Sequence, residues 1–242
     1  MRPPTFSHER ALTDAGHRII GIDEAGCGCL AGPVVAAAIH LPMDSRLGLI
    51  RDSKLLSRQQ RERLFAVFRA RGYRWAIGIA SWKEVDAVNI RNATYLAMRR
   101  AVEGFLQQHS SSRAESQRSR EIPDRSEISP LGAASVETTS DRNLFALVDA
   151  WTIPGITIAQ RGIIHGDQLV KSIAAASIIA KVTRDAIMEK LDREHPRYGF
   201  AAHKGYATAY HRAAIRRHGL SPVHRRSFCT KYSVAATSLT GG

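Results

Sequence analysis

Cysteine is scarce in this chain of 242 residues, acidic residues are outnumbered, and no long apolar run is present. The three cysteines, Cys27, Cys29 and Cys229, cannot all pair, and two of them stand two positions apart. A disulfide framework is therefore not expected, and a reducing cytoplasm is the setting that fits. No stretch of 18 or more apolar residues occurs, so no membrane-spanning helix is expected. Residues 1–10 are polar and hold two prolines, which does not read as a secretory signal. No internal repeat is visible, which excludes solenoids and propellers. The length suits one large domain, or one domain with a small appendage, and allows a sizeable core without disulfides or structural metal.

What is abundant is positive charge. Thirty-five Lys and Arg face 22 Asp and Glu, a formal net charge of +13. Such an excess calls for a polyanionic partner, nucleic acid first and an anionic membrane surface second. The excess is not spread evenly. Residues 106–143 are rich in Ser, Arg, Glu and Gln, and their five arginines are outnumbered by six acids. That stretch reads as a disordered insertion or a long loop, so the basic character belongs to the remainder. Residues 186–232 hold ten Lys and Arg, three acids and five His, the densest basic stretch of the chain.

The apolar pattern predicts an α/β chain. Residues 17–23 and 34–41 read as strands joined by a Gly-rich turn, and residues 73–80 as a third. Ser57 with Gln60 forms a capping-box pattern that opens a helix to about Ala70, and Ser81 with Glu84 repeats it. Residues 89–107 form a longer amphipathic helix. Strands are predicted at 144–149 and 156–159, with another short run at 162–165. Helices follow at 172–193 and 208–218, the latter ended by Gly219. The alternation predicts a sheet with a helical, basic C-terminal cap.

Three acids end short strand-like runs or lie just beyond them: Asp23 after Ile19–Ile22, Asp149 after Leu144–Val148, and Asp167 after Ile163–Gly166. Glu24 adjoins Asp23. One such acid is ordinarily a turn residue or a helix cap. Several at sheet ends, where α/β proteins build their sites, form a different pattern. Carboxylates cannot cluster without compensation, and a hard divalent cation such as Mg²⁺ or Mn²⁺ supplies it through oxygen ligands. Two such ions about 4 Å apart suit phosphodiester hydrolysis. Periodicity alone does not decide between these readings. Gly26, Gly28 and Gly32 follow the first strand with the spacing G-x-G-x-x-x-G, one residue too long for a dinucleotide fingerprint. Pro33 then leads into a strand, not a helix. The glycines suit close backbone approach to a sugar or phosphate, or simply a tight turn.

Residues 21–39, GIDEAGCGCLAGPVVAAAI, resemble the opening signature of the ribonuclease HII family, the type 2 ribonucleases H. Residues 52–57 (DSKLLS) and 89–94 (NIRNAT) are similar to two further family stretches. Residues 166–185 (GDQLVKSIAAASIIAKVTRD), 203–208 (HKGYAT) and 221–228 (SPVHRRSF) resemble its remaining signatures. The likeness covers roughly 17–105 and 144–230, in order.

This resemblance implies a ribonuclease H-like α/β fold, a mixed sheet flanked by helices with a helical, basic C-terminal extension. It implies a catalytic domain over 17–195, interrupted by 106–143, and a substrate-binding extension over 196–232. The implied activity is endonucleolytic cleavage 5′ of ribonucleotides, in RNA–DNA hybrids and at single ribonucleotides embedded in duplex DNA. Products would carry 3′-hydroxyl and 5′-phosphate ends, with Mg²⁺ or Mn²⁺ as cofactor and a monomer as the acting form. A non-catalytic hybrid- or RNA-binding protein is the alternative. The family's catalytic, metal-holding acids fall on Asp23, Glu24, Asp149 and Asp167, with Asp185 as helix support. Gly26, Cys27 and Gly28 correspond to the loop that reads the ribose 2′-hydroxyl through its backbone. Tyr206 corresponds to the tyrosine that packs on sugar at the ribonucleotide–deoxyribonucleotide junction. Lys54 and Ser172 are candidate phosphate contacts, with Lys171, Lys181 and Ser177 behind them. Arg212, Arg216, Arg217, Arg225 and Arg226 form a basic footprint. His165 and His203 are minor candidates for proton transfer, and Cys29 and Cys229 read as structural. The family usually has Arg or Lys where this chain has Cys27, and often Gly where it has Ala150. Its connection at 106–143 is also shorter.

Overall fold

Short apolar runs become five strands, and the sheet they form is mixed. They are β1 (Arg18–Ala25), β2 (Val34–Ile39), β3 (Trp75–Ala80), β4 (Leu144–Asp149) and β5 (Ala159–Ile163), in the order β3-β2-β1-β4-β5. β1–β2 and β2–β3 pair antiparallel, while β1–β4 and β4–β5 pair parallel. The computed structural model describes residues 3–45, 47–48, 50–118 and 143–232.

β2 is buried along its whole length, as an apolar strand covered on both faces must be. Its alternation sorts the two faces. Ala36 and Ala38 pack with Ile20, Ile22, Ala97, Ala101 and Phe105, so this face is covered by α3 (Trp82–Arg118). Ala37 and Ile39 pack with Ala174, Ala175, Ile178, Leu64 and Phe68, from α5 (Lys171–Glu194) and α2 (Arg58–Ala70). α1 (Ser7–Asp14) precedes β1, and its buried Glu9 accepts the backbone N–H of Ser172 at 2.8 Å. α4 (Gly166–Leu169), α6 (Phe200–His203) and α7 (Ala209–His218) are short. Single 3-10 turns lie at Ser53–Leu55, Arg226–Phe228 and Thr230–Tyr232.

The capping signals work as their chemistry requires. Ser57 and Gln60 form both bonds of a capping box. Ser81 and Glu84 exchange theirs at 2.8 and 3.3 Å. α3 is two helical stretches across a break at Asn89, whose φ is +67°, and Asn89 Oδ1 caps the second stretch through Asn92 N–H. Two predictions need correction. The strand predicted at 156–159 is instead β5, Ala159–Ile163. Ile156 and Ile158 pack into the core beside β4, and the Gln160 side chain bonds both the N–H and the carbonyl of Ile153. The stretch 106–143 does not begin as a loop, because α3 continues to Arg118. Leu106 packs on the core, and no Gly or Pro interrupts residues 105–122. Residues 119–142 lie outside the described residues.

The C-terminal segment is packed on the Gly-rich loop between β1 and β2. Leu30 N–H bonds Gly205 O, Gly32 N–H bonds Val223 O, and Arg225 N–H bonds Leu30 O. Ala31 shares an apolar cluster with Met188, Tyr198, Phe200 and Val223. Among the described residues no helix is long and apolar enough to cross a membrane.

Candidate active site

Strand register brings the predicted acids together. In β1, Asp23 pairs opposite Ala37 and Glu24 opposite Ala36, so their side chains leave on opposite faces of the strand's last residues. Parallel pairing of Ile22 with Val148 makes Asp149 the neighbour of Asp23 across the β1–β4 edge. Asp149 pairs with Ile163 on β5. Four residues after Ile163, past His165 at φ +57°, α4 presents Asp167, whose backbone N–H lies 3.4 Å from Asp149 Oδ1.

The electrostatics are those of a carboxylate cluster short of cations. Asp23 and Asp167 are only 5% and 4% exposed. Burial pushes the Asp23 carboxyl well above the usual range, and the charges of Glu24, Asp149 and Asp167 push it the same way. Burial also raises Glu24, with Asp149 adding to the shift. Asp167 is raised by burial despite Lys54, with Asp52 and Asp149 contributing. Lys54 Nζ sits 3.2 Å from Asp167 Oδ2. Burial works against the lysine's charge, yet Asp167 and Asp52 raise its pKa overall. An all-oxygen donor set with unmet negative charge fits a hard divalent cation.

Each carboxylate is meanwhile held by a local donor. Asp23 Oδ1 accepts Glu24 N–H at 2.6 Å, and Glu24 Oε1 accepts from Cys27 Sγ at 3.4 Å. Among the described residues no three His, Cys, Asp or Glu side chains converge as one ion's ligand set in the rotamers present.

The Gly-rich loop is braced from below. Arg184 and Arg225 are fully buried. Arg184 bonds the carbonyls of Pro33, Ala31 and Lys204, while Arg225 bonds those of Gly32 and Cys27. Gly26 has φ +101°, and a Cβ there would lie 2.0 Å from Arg184 Nε. With Cys27 O and Gly26 O already engaged, the N–H groups of Cys27 and Gly28 find no acceptor among the described residues. The Cys27 sulfur turns inward, 3.2 Å from Thr94 Oγ1. Tyr206 is 42% exposed, with Lys181 and Arg184 over its ring at 5.8 and 6.0 Å.

Several candidates stand elsewhere. Ser172 is buried, and its N–H is held by Glu9, so a phosphate contact there is corrected to packing between α5 and α1. Ser177 is buried and bonds Ala174 O. Lys171 lies over the Phe6 ring, and Lys181 pairs with Asp185 at 2.6 Å. Asp185 also faces Arg61, which bonds the carbonyls of Ser53 and Leu56 and so braces the turn that carries Lys54. Arg225 belongs to the loop's support and not to a solvated footprint. Arg216, Arg217 and Arg226 are exposed. His165 is exposed, whereas His203 is buried with both ring nitrogens used, by Tyr198 O and Gly205 N–H. Thr94, Arg61 and Arg184 were not singled out from the sequence. Their only signal was membership of the family-like stretches or, for Arg61, of the α2 helix.

Comparison with known proteins gives the chain's family. The family model described as ribonuclease HII matches residues 20–127 and 145–231. A ribonuclease HII of Desulfitobacterium hafniense is 45% identical over 210 residues, 87% of this chain and 68% of that protein. The crystal structure of ribonuclease H2 from Pyrococcus horikoshii OT3 superposes with a TM-score of 0.62 at 21% identity, covering 89% of this chain and 96% of that one. Bst-RNase HIII in complex with Mn²⁺ superposes at 0.54 with 18% identity, over 88% and 64% of the two chains. These last two show the fold alone. On the family match and the relative's identity and coverage, the chain belongs to the ribonuclease HII family, whose members are endoribonucleases of ribonuclease H type 2 that use divalent metal ions.

Proposed function

We propose that this protein hydrolyses the phosphodiester bond 5′ of a ribonucleotide, in RNA–DNA hybrids and at single ribonucleotides embedded in duplex DNA. The proposed products carry 3′-hydroxyl and 5′-phosphate ends. The observation that carries the reading is the gathering of Asp23, Glu24, Asp149 and Asp167 at adjoining strand ends, with burial raising Asp23, Glu24 and Asp167. These four acids would hold Mg²⁺ or Mn²⁺. Such ions, when bound, activate water and stabilise the leaving oxygen.

The chain's own groups do the rest. Lys54 keeps a cation beside Asp167 and, being 77% exposed at its side chain, can also meet a phosphate. The N–H groups of Cys27 and Gly28 are free to donate to a 2′-hydroxyl, the atom that separates RNA from DNA. The Tyr206 ring packs on the neighbouring sugar, steadied by Arg184 beneath the loop. The extension 196–232 adds exposed arginines for backbone contacts of low sequence preference, on a catalytic domain over 17–195. The acting form is a monomer.

The test is incubation of the full chain with duplex DNA containing one ribonucleotide, and with an RNA–DNA hybrid, in Mg²⁺, Mn²⁺ or EDTA. Cleavage 5′ of the ribonucleotide that stops in EDTA is expected. Tight binding without cleavage in either metal would instead describe a non-catalytic binder.

A further inference from the structure

Beyond the carboxylates, the same end of the sheet carries two exposed apolar side chains that this mechanism leaves unused. Trp151 is 66% exposed and Ile164 is 68% exposed. They follow the ends of neighbouring parallel strands, β4 and β5, whose last residues Asp149 and Ile163 are in register. Backbone bonds hold the turn after β4 against those ends: Ala150 N–H to Ile163 O at 2.8 Å, and Trp151 N–H to Asp149 O at 2.7 Å.

The turn that displays the indole is built at a cost. Ala150 is held at φ +59°, a region that residues with a Cβ seldom adopt. Gly162 on β5 leaves the necessary room, since a Cβ there would lie 2.8 Å from Ala150 O and 3.0 Å from the Trp151 carbonyl carbon. A strained turn that directs a large apolar ring to solvent, two residues from Asp149, contributes nothing to the core. An indole this exposed, held by such a turn beside the acids, is available for contact with a substrate.

Topology identifies what the ring meets. Sheet order places the Gly-rich loop on the β1–β2 side of Asp23, and Leu30 N–H ties the Tyr206 segment to that loop through Gly205 O. Trp151 and Ile164 lie on the β4–β5 side. Along the sheet edge, Asp23 and Asp149, at the ends of β1 and β4, therefore lie between the loop that holds the Tyr206 segment and the turn that carries Trp151. We infer that Trp151, with Ile164 beside it, is a second sugar contact for the nucleic-acid substrate, gripping the duplex on the opposite side of the scissile position from Tyr206. Bases in a duplex stay paired and stacked, so the indole meets the apolar C–H face of a backbone sugar, a contact blind to sequence. The inference rests on the nuclease reading above.

Intrinsic fluorescence gives a direct test. Of the three tryptophans, Trp75 and Trp82 are half-buried and Trp151 is the exposed one, so the Trp151 variants assign any change of emission. The full chain is titrated in EDTA with duplex DNA containing one ribonucleotide, alongside Trp151→Ala and Trp151→Phe. The expected result is a change of parental emission on binding that Trp151→Ala lacks. Trp151→Ala should raise Kd roughly fivefold to tenfold, and KM by a similar factor in Mg²⁺, with kcat within about twofold, as removal of uniform binding requires. Trp151→Phe should recover most of the affinity, and Tm should be unchanged in both. Equal Kd and unaltered emission on binding would overturn the inference while leaving the nuclease reading intact. A fall in Tm without rescue by Phe would make Trp151 structural and overturn it as well. A parental chain that neither binds nor cleaves the duplex would overturn both.

Discussion

Cys27 Sγ lies 3.4 Å from Glu24 Oε1, close enough for the thiol to donate to a carboxylate of the candidate metal site. The same sulfur meets Thr94 Oγ1 at 3.2 Å, so α3 supports Glu24 through Cys27. The resemblance leads one to look for a long cation here, reaching phosphate. The structure has instead a short side chain turned toward the acid.

The first prediction follows from that contact. Cys27→Ser keeps a donor of similar size and should retain turnover within about threefold. Cys27→Ala leaves Glu24 Oε1 without this partner. A weak donor to a charged acceptor is worth about 1 kcal/mol, so a roughly fivefold loss in kcat/KM is expected. Steady-state cleavage of a ribonucleotide-containing duplex measures both, and equal rates for Ser and Ala would show that the thiol does not orient Glu24.

A second prediction concerns Arg225. Its Nε bonds Gly32 O at 3.0 Å and an Nη bonds Cys27 O at 2.9 Å, with the side chain fully buried. Arg225→Met strips two buried carbonyls of charge-assisted donors, at about 3 kcal/mol in all, or a Tm drop of roughly 6–12 °C. Arg225→Lys should restore little, because an ammonium lacks the planar fork. The exposed Arg216→Ala should stay within about 0.5 kcal/mol. Calorimetry of the three variants checks the contrast, and a neutral Arg225→Met would return this residue to the solvated surface.

The third concerns pH. His211 and His224 are buried, and burial pulls each pKa down to about 4, with His203 acting on His211 and His211 on His224. Their bonds define one neutral arrangement. His211 Nδ1–H donates to Tyr206 O, so its Nε2 accepts from His224 Nε2–H at 3.0 Å, and His224 Nδ1 accepts from Ser221 N–H. A proton on either ring breaks this chain. Between pH 6.5 and about 4 the unfolded chain binds more protons than the folded one, so stability rises with pH across that window. It is fully present above 6.5 and is lost as pH falls toward 4. The raised carboxyls of Asp23, Glu24 and Asp167 act in the opposite sense, so the histidines are isolated by comparison with His224→Gln. From pH 7 to pH 4.5 the Tm of the parental chain should fall relative to that of His224→Gln. A Tm difference that does not change over this range would mean that the rings accept protons in place.

Much of this arrangement was legible in the sequence. Asp23 and Asp149 announce themselves because each follows an apolar run at or near the end of a strand, and sheet ends in α/β folds adjoin one another. Ser57 and Ser81 mark helix starts through local capping chemistry alone. β5 was misplaced because Ala159–Ile163, at the sheet edge, shows little apolar alternation, while the apolar Ile156 and Ile158 serve the core outside any strand. Arg225 looked solvated because an Arg-Arg pair carries no sign that carbonyls almost 200 residues earlier will claim one of them. Ser172 was misjudged for the same reason, since its partner Glu9 comes from a helix that the apolar pattern does not reveal. The His211–His224 chain is likewise a tertiary product, invisible to spacing.

The central claim is that Asp23, Glu24, Asp149 and Asp167 act together on cations and not as direct grips on the duplex. The most direct measurement compares Asp23→Asn, Glu24→Gln, Asp149→Asn and Asp167→Asn with the parental chain, recording both single-turnover cleavage in Mg²⁺ and Kd for duplex DNA containing one ribonucleotide. Each variant should cleave roughly 100-fold slower or worse while Kd stays within about threefold. Near-parental cleavage by any two of the four would contradict the account.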